Sequence, residues 1–287
     1  MSLKYRYIIK ALGFVLVLLI LYSFLFWKLH PFNPWVIGFD RLITNRAIIY
    51  YHKSDVDVTC LSDIDSLINQ VEEFHKLKFK GKVELVISSD RNEHNKYNVI
   101  NGPFLAYPFT DRIYTFYRED LFKKERNTLR AFLKHELSHS VIFQNISVSK
   151  MKNYPRWFLE GIATYSSGTV GIHGHPTYGT VIKRISQGCF IQPSDWGTLS
   201  NPARGISLQK YPYNDVNLFA YSEFAYIIEK LVEKYGKPKF EELVYLTLED
   251  KTFENAFKSV YNLEFEQYIK TTIICKQQTK MTRAQNI

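Results

Sequence analysis

Residues 129–143, L-R-A-F-L-K-H-E-L-S-H-S-V-I-F, decide the fold, because they combine a helical pattern with the motif H-E-x-x-H. A helix turns by about 100° per residue, so His135 and His139 lie one turn apart on the same face, with Glu136 beside them. Both imidazoles can therefore reach a single cation, and the carboxylate stands next to it as a base. The stretch predicts a two-histidine metal site on a helix.

The side of this helix next to the histidines is apolar, which predicts that the helix is mostly buried. Water is expected only at a narrow strip around Lys134 and Ser138. Buried histidines and a buried carboxylate are costly without partners, and a metal ion supplies those partners. A surface helix can also carry the motif by chance, since the chain has 8 His. The apolar stripe consists of Leu129, Leu133, Leu137 and Val141.

A second helical pattern follows at residues 154–168, Y-P-R-W-F-L-E-G-I-A-T-Y-S-S-G. Pro155 can open this helix and Gly168 can close it. It carries Glu160, and Gly161 removes a side chain next to that carboxylate, which predicts a close approach to the first helix. Two histidines and one glutamate leave the fourth position of a zinc ion open, as in catalytic rather than structural sites.

The two motifs together, H-E-L-S-H and P-R-W-F-L-E-G-I-A-T-Y, resemble the gluzincin zinc metallopeptidases. The resemblance is to catalytic domains of the aminopeptidase N and thermolysin type. The closest pattern is that of the aminopeptidase N and peptidase MA-like branch, in which W-x-x-E-G-x-A follows the first motif after about twenty residues. It implies an α+β zincin fold with a small N-terminal sheet lobe and a mainly helical C-terminal lobe. It also implies Zn2+ held by His135, His139 and Glu160, with Glu136 as the general base.

The resemblance suggests Tyr221 as a further catalytic residue. In the aminopeptidases, a tyrosine that opens a comparable helix about sixty residues after the zinc glutamate donates its hydroxyl to the oxyanion. Tyr221 fits this position. It can equally be an ordinary core tyrosine, and Tyr211 and Tyr213 in the preceding loop are rivals.

Two departures from the aminopeptidase pattern affect the predicted specificity and the metal site. No G-x-M-E-N strand is present to bind a free amino terminus, which makes exopeptidase action doubtful. Ser167 stands where those enzymes have a carboxylate that orients a zinc-bound histidine. A backbone carbonyl could take over that role, or the metal could bind more weakly.

The amino-terminal segment predicts a membrane anchor. Residues 11–27 are uncharged and, extended by residues 8–10, reach about the 20 residues needed to cross a bilayer. The competing interpretation is a cleaved signal peptide, but no small-x-small pattern follows. Basic residues before the span predict residues 1–10 as a cytoplasmic tail, residues 11–29 as the transmembrane anchor and an extracytoplasmic catalytic domain, periplasmic or extracellular.

Behind the anchor, we expect a linker at residues 30–42, one metallopeptidase domain at residues 43–276 and a tail at residues 277–287. The sheet lobe, residues 43–125, has predicted strands at 46–52, 82–88 and 112–117, a helix at 62–78 and a loop at 90–102. Residues 104–117 are the candidate edge strand for a peptide, although an internal strand is an equal alternative. The helical lobe, residues 126–276, has further predicted helices at 177–187, 217–235, 239–249, 253–261 and 265–275.

Other features allow weaker inferences. His173 and His175 suggest an alternative metal-binding site. Two histidines among glycines are more typical of a surface loop, which could still line the substrate cleft. Cys60, Cys189 and Cys275 show no metal or redox spacing and leave any disulfide pairing open. The net charge of +9 comes from scattered lysines, which argues against nucleic-acid binding.

The sequence therefore predicts a single-pass, membrane-anchored zinc peptidase, with an endopeptidase favoured. Its expected partners are a peptide or protein substrate and membrane lipid, contacted through the N-terminal helix. One alternative is a catalytically silent zinc protein on the same fold that regulates or binds peptides. A weaker one is hydrolysis of a non-peptide amide. Oligomeric state and substrate are not legible in the sequence.

Overall fold

The structure is a computed structural model that describes residues 3–100, 102–202, 211, 213, 215–249 and 251–274. The chain combines an N-terminal β-sheet with a mostly helical C-terminal part, so it belongs to the expected α+β class. It divides into two compact units. The sheet unit comprises Met1–Asp65 and Gly81–Glu125, and the helical unit comprises Ser66–Lys80 and Arg126–Ile287.

The sheet unit contains one five-stranded mixed sheet in the order β1-β2-β3-β5-β4. β2 pairs in parallel with β3, and β3 in parallel with β5, while β1 and β4 add antiparallel edges. The central strand β3 is rich in branched apolar residues and is buried on both faces, as parallel strands are. The strands are β1 (Asp40–Ile43), β2 (Ala47–Tyr51), β3 (Val83–Ser88), β4 (Phe104–Ala106) and β5 (Arg112–Phe116).

The strands predicted at 46–52, 82–88 and 112–117 are confirmed as β2, β3 and β5. The candidate edge at 104–117 divides into two elements: β4 lies at the edge of the sheet, and β5 is internal. β1 begins within residues 30–42, where the sequence suggested a linker.

The loop predicted at residues 90–102 is wrong, because Arg91–Tyr97 forms a helix, α3. The side chain of Asp90 accepts hydrogen bonds from the backbone amides of Asn92 and Glu93, which satisfies the free donors at the start of the helix. Only one face of α3 is buried, through His94 and Tyr97. A short, polar helix of this kind lacks the apolar periodicity on which the prediction depended.

The helical unit bears out the remaining predicted helices, with ends shifted by a few residues. The helix predicted at 265–275 continues from Tyr268 into a π-helical turn, Ile269–Ile274, and Cys275 lies outside the described residues. The helices are α2 (Ile64–His75), whose first two residues count with the sheet unit, α4 (Arg126–Asn145), α5 (Val148–Met151), α6 (Arg156–Ser167), α7 (Tyr178–Ser186), α8 (Val216–Tyr235), α9 (Lys237–Leu248), α10 (Phe253–Tyr261) and α11 (Phe265–Tyr268).

The first helix, α1 (Leu3–Phe26), is the amino-terminal apolar segment. Its stretch Tyr5–Phe26 is long and apolar enough to cross a membrane, and none of it is buried against the rest of the described chain. A membrane span or a signal sequence both fit these properties.

Candidate metal centre

α4 presents the two histidines of the motif from a buried position. The exposed fractions of His135, Glu136 and His139 are 9%, 9% and 8%. Ser138, expected at a solvent-facing strip, is instead fully buried, because its hydroxyl lies 2.9 Å from Nε2 of His75 on α2. α2 therefore covers Ser138, while Lys134, the other residue of the expected strip, is partly exposed.

α6 supplies the third residue, Glu160. Pro155 is the residue before its first turn and Gly168, with a φ of 72°, ends it in the left-handed conformation, as the sequence predicted. The expected role of Gly161 needs correction. A Cβ built there would lie 3.0 Å from the carbonyl oxygen of Phe224, so Gly161 permits close packing of α6 on α8 and not on α4.

The two helices bring His135, His139 and Glu160 together. The two Nε2 atoms lie 3.0 Å apart, and each is 3.3 Å from Oε2 of Glu160. Two ligands that bind a tetrahedral zinc ion at about 2.0 Å are themselves about 3.3 Å apart. The donor set, two imidazole nitrogens and one carboxylate oxygen, therefore fits a zinc ion in both chemistry and spacing.

The electrostatics favour an ionised Glu160. Burial alone would raise the pKa of this carboxyl, but the charge of His139 and hydrogen bonds from both imidazoles outweigh burial and hold the pKa well below its usual value. A carboxylate rather than a carboxylic acid is the form that binds metal.

The groups that hold the two histidines in place differ from those of the aminopeptidases, where a carboxylate orients a zinc-bound histidine. Ser167 points away from them, because its hydroxyl donates to the carbonyl of Thr164 and lies 3.2 Å from the hydroxyl of Thr169. Nδ1 of His139 is buried and has no hydrogen-bond partner among the described residues. His139 is held instead by packing, with the ring of Phe143 stacked at 6.1 Å.

Tyr221, in the second turn of α8, lies beside this centre. Its ring centroid is 6.1 Å from that of His135. Burial raises the pKa of its hydroxyl well above 10.0; the Glu160 carboxylate raises it further, Arg156 opposes the rise, and Glu136 adds to it. The tyrosine is therefore a protonated hydrogen-bond donor within the field of both carboxylates.

The rival tyrosines have other partners. The hydroxyl of Tyr211 donates to Asp195 at 2.5 Å and accepts from the backbone amide of Gln192. The hydroxyl of Tyr213 donates to the carbonyl of Cys189 at 2.5 Å. These contacts favour Tyr221 over both residues as a donor at the metal centre.

The histidine loop between α6 and α7 also reaches this site. The ring of His175 stacks on the ring of Tyr221 at 6.2 Å. Tyr221 thus contacts a histidine of this loop as well as His135 of α4. Burial and the neighbouring His135 together lower the pKa of His175 to about 4, against the opposing charge of Asp215. His175 is therefore a neutral ring that packs on Tyr221. It lies outside the three-residue donor cluster.

Sequence reasoning left His175 as an open alternative and missed two other neighbours. Trp196 packs its ring edge against Tyr221 at 6.3 Å, and His75 supports α4 through Ser138. The H-G-H-P sequence around His175 was a usable signal, because Gly174 before it and Pro176 after it are typical of a tight turn. No local pattern marks Trp196 or His75, since both depend on tertiary packing.

Comparison with known proteins agrees with this geometry. The family model of the Peptidase MA superfamily matches residues 126–272, just over half of the chain, including the whole donor cluster. None of the curated proteins matches the chain. The sequence match and the convergence of His135, His139 and Glu160 lead to one conclusion: the chain belongs to the Peptidase MA superfamily.

Proposed function

We propose that the chain is a membrane-anchored zinc peptidase that hydrolyses internal peptide bonds. The observation that carries this proposal is the meeting of three metal-binding atoms, all within 4.8 Å of one another, with Glu136 and Tyr221 at the same place. His135, His139 and Glu160 would hold the ion. When bound, zinc supplies a Lewis acid that lowers the pKa of a coordinated water towards about 7 and polarises the scissile carbonyl.

Glu136 is the general base in this proposal. It directly follows His135 on α4, is as buried as the two histidines and stands outside the donor cluster, so its carboxylate can accept a proton there. A carboxylate oxygen of Glu136 takes the proton from the attacking water and passes it to the leaving amine nitrogen. One residue thus serves both halves of the reaction.

Tyr221 provides a hydrogen bond to the oxyanion. Its hydroxyl keeps its proton at neutral pH, because burial and the nearby carboxylates raise its pKa. The rings of His135, His175 and Trp196 contact the Tyr221 ring and limit its movement. A donor that is already oriented stabilises developing charge without reorganisation during the reaction.

The endopeptidase assignment rests on the absence of the amine-binding motif from the sequence, and the membrane assignment on α1. We place the amino terminus in the cytoplasm and the peptidase outside it, because Lys4, Arg6 and Lys10 precede the apolar stretch. The proposed partners are a peptide or protein substrate and the lipids around α1.

A catalytically silent zinc protein is the second candidate. It is favoured by the buried Nδ1 of His139, which lacks a described partner, and by Ser167 in place of a supporting carboxylate. Partners of this kind commonly contribute 10-fold to 100-fold to metal affinity or activity.

The test is metal analysis and peptide-library digestion with the full-length chain in detergent, for wild type and Glu136→Gln. We expect about one zinc per chain in both proteins, cleavage by wild type and loss of turnover in the variant, because only the proton acceptor is removed. Zinc binding without wild-type cleavage would favour the silent protein. Retained cleavage by Glu136→Gln would refute the assignment of the base.

A further inference from the structure

The end of α1 is fixed to the sheet unit. Nζ of Lys28, two residues beyond α1, donates hydrogen bonds to the carbonyls of Asn95 and Asn98 at 2.5 and 2.6 Å. His30 is fully buried, and its Nδ1 lies 2.8 Å from the hydroxyl of Tyr114. The guanidinium of Arg112 donates to the carbonyl of His30. The end of α1 is therefore held directly against the residues that precede the Val99–Ile100 loop.

Large apolar side chains are exposed around this attachment. Val99 and Ile100 directly follow Asn98, and 56% and 54% of their surfaces are exposed. Phe32, Trp35 and Phe109 are exposed as well, by 43%, 66% and 60% of their surfaces. We call these five residues the juxtamembrane patch: Phe32, Trp35, Val99, Ile100 and Phe109.

Tyr107 connects Phe32 to the Val99–Ile100 loop of this patch. The ring of Phe32 meets the ring of Tyr107 edge-on at 5.9 Å. Burial raises the pKa of Tyr107, and the backbone amides of Val99 and Ile100 beside its hydroxyl oppose that rise. Tyr107 thus lies between the turn after α1 and the Val99–Ile100 loop.

Phe109 belongs to the turn between β4 and β5, which begins next to Tyr107. Its φ is +66°, a conformation that is unfavourable for a bulky residue, yet its ring is exposed. A strained and exposed aromatic residue is typical of a binding surface rather than of a core. Asp111, in the same turn, would limit Phe109 to the headgroup region.

The occupant of this surface follows from α1. Its 24 residues span about 36 Å, against about 30 Å for the hydrocarbon core, so its ends reach the headgroups. Tyr22 and Trp27 lie near its carboxyl end, where aromatic residues mark the interface. The five patch residues carry no charge, and lipid is the surface that a spanning α1 brings to them.

We propose that the juxtamembrane patch inserts into the interfacial layer of the membrane, with Val99 and Ile100 as its deepest residues. The sheet unit then rests directly on the lipid surface. This inference depends on the proposed membrane span of α1, and the experiment separates the two.

The experiment places single spin labels in the full-length chain in phosphatidylcholine nanodiscs, after replacing Cys60, Cys189 and Cys275 by serine. Labels at Ile100→Cys, Leu18→Cys and Lys53→Cys report on the patch, the span and an exposed control. Lys53 is exposed and lies two residues after the end of β2. Collision with oxygen, which partitions into lipid, is compared with collision with a water-soluble nickel complex.

We expect the ratio of oxygen to nickel collisions to be severalfold higher at residue 100 than at residue 53, and highest at residue 18. A lipid-like residue 18 with a water-like residue 100 would overturn the patch proposal and leave the span intact. A residue 100 label shielded from both reagents would indicate a protein partner and overturn it as well. A water-like residue 18 would overturn the span and the patch together.

Discussion

At the scale of single residues, Tyr221 offers a direct test of the oxyanion assignment. We predict that Tyr221→Phe lowers kcat by about 100-fold to 1,000-fold, the usual effect of removing one oxyanion donor. KM should change little, because the hydroxyl acts on charge that exists only in the transition state. Zinc content should also be unchanged, since Tyr221 is outside the donor set. Steady-state kinetics and metal analysis measure these quantities.

Tyr213→Phe is the matched control. It removes a hydroxyl from the same part of the chain, but one that donates to the carbonyl of Cys189. Its kcat should stay within a few-fold of wild type. Equal losses of kcat in the two variants would mean that Tyr221 acts through folding and not through the oxyanion.

Glu223 is a buried carboxyl without a role in the proposed chemistry. It is fully buried on α8, where it accepts a hydrogen bond from the backbone amide of Ile191, and burial raises its pKa well above 4.5. The folded state therefore binds a proton that the unfolded state releases above pH 4.5, so this group makes wild type less stable as pH rises from 4.5.

We predict that Glu223→Gln raises Tm by a few degrees at pH 7, because the amide oxygen still accepts from Ile191 and no proton must be retained. The difference from wild type should shrink as pH falls and vanish below about 4.5, the ordinary pKa of the group. Calorimetric scans between pH 4 and pH 8 measure it. A variant less stable than wild type at pH 7 would show that Glu223 is charged in the folded protein.

At the scale of secondary-structure elements, the contact of α6 with α8 sets the position of Glu160 relative to Tyr221. A Cβ at Gly161 would lie 3.0 Å from the carbonyl oxygen of Phe224 and 3.1 Å from its Cβ. We predict that Gly161→Ala destabilises the protein by about 1–3 kcal/mol, as overpacking does. It should also weaken zinc binding, because the two helices must separate. Thermal unfolding and competition with a metal indicator test this.

Gly179→Ala provides the comparison. Gly179 lies in α7, is exposed, and a Cβ there meets no atom closer than 3.8 Å. Alanine in an open helical position is expected to leave stability unchanged or to raise it by about 0.5–1 kcal/mol. If Gly161→Ala behaved like Gly179→Ala, the close approach of α6 and α8 would not matter for the site.

At the scale of the whole molecule, the sequence predicted best where a pattern is local. His135, His139 and Glu160 follow from the spacing within two helices, and the buried strands from runs of branched residues. α3 was missed because its main signal is one capping side chain, Asp90. The helix that packs on Gly161 could not be predicted. A glycine indicates that another element approaches closely, but not whether that element is α4 or α8.

The metal ligands also make a prediction about the whole molecule. All three proposed ligands come from α4 and α6 of the helical unit. Ligand binding stabilises the state that contains the formed site, so zinc should stabilise the elements that hold these side chains. We predict that a chelator increases hydrogen exchange in α4 and α6, while exchange in β3 and β5 of the sheet unit stays the same.

Hydrogen-exchange mass spectrometry of the full-length chain, with zinc and after chelation, measures this difference. His139→Ala serves as the comparison, because it removes one of the three proposed ligands. Its α4 and α6 should exchange like those of the chelated wild type and should not respond to added zinc. An equal zinc effect on β3 and β5 would contradict a site confined to the helical unit, and a zinc response in His139→Ala would place the ion on other residues.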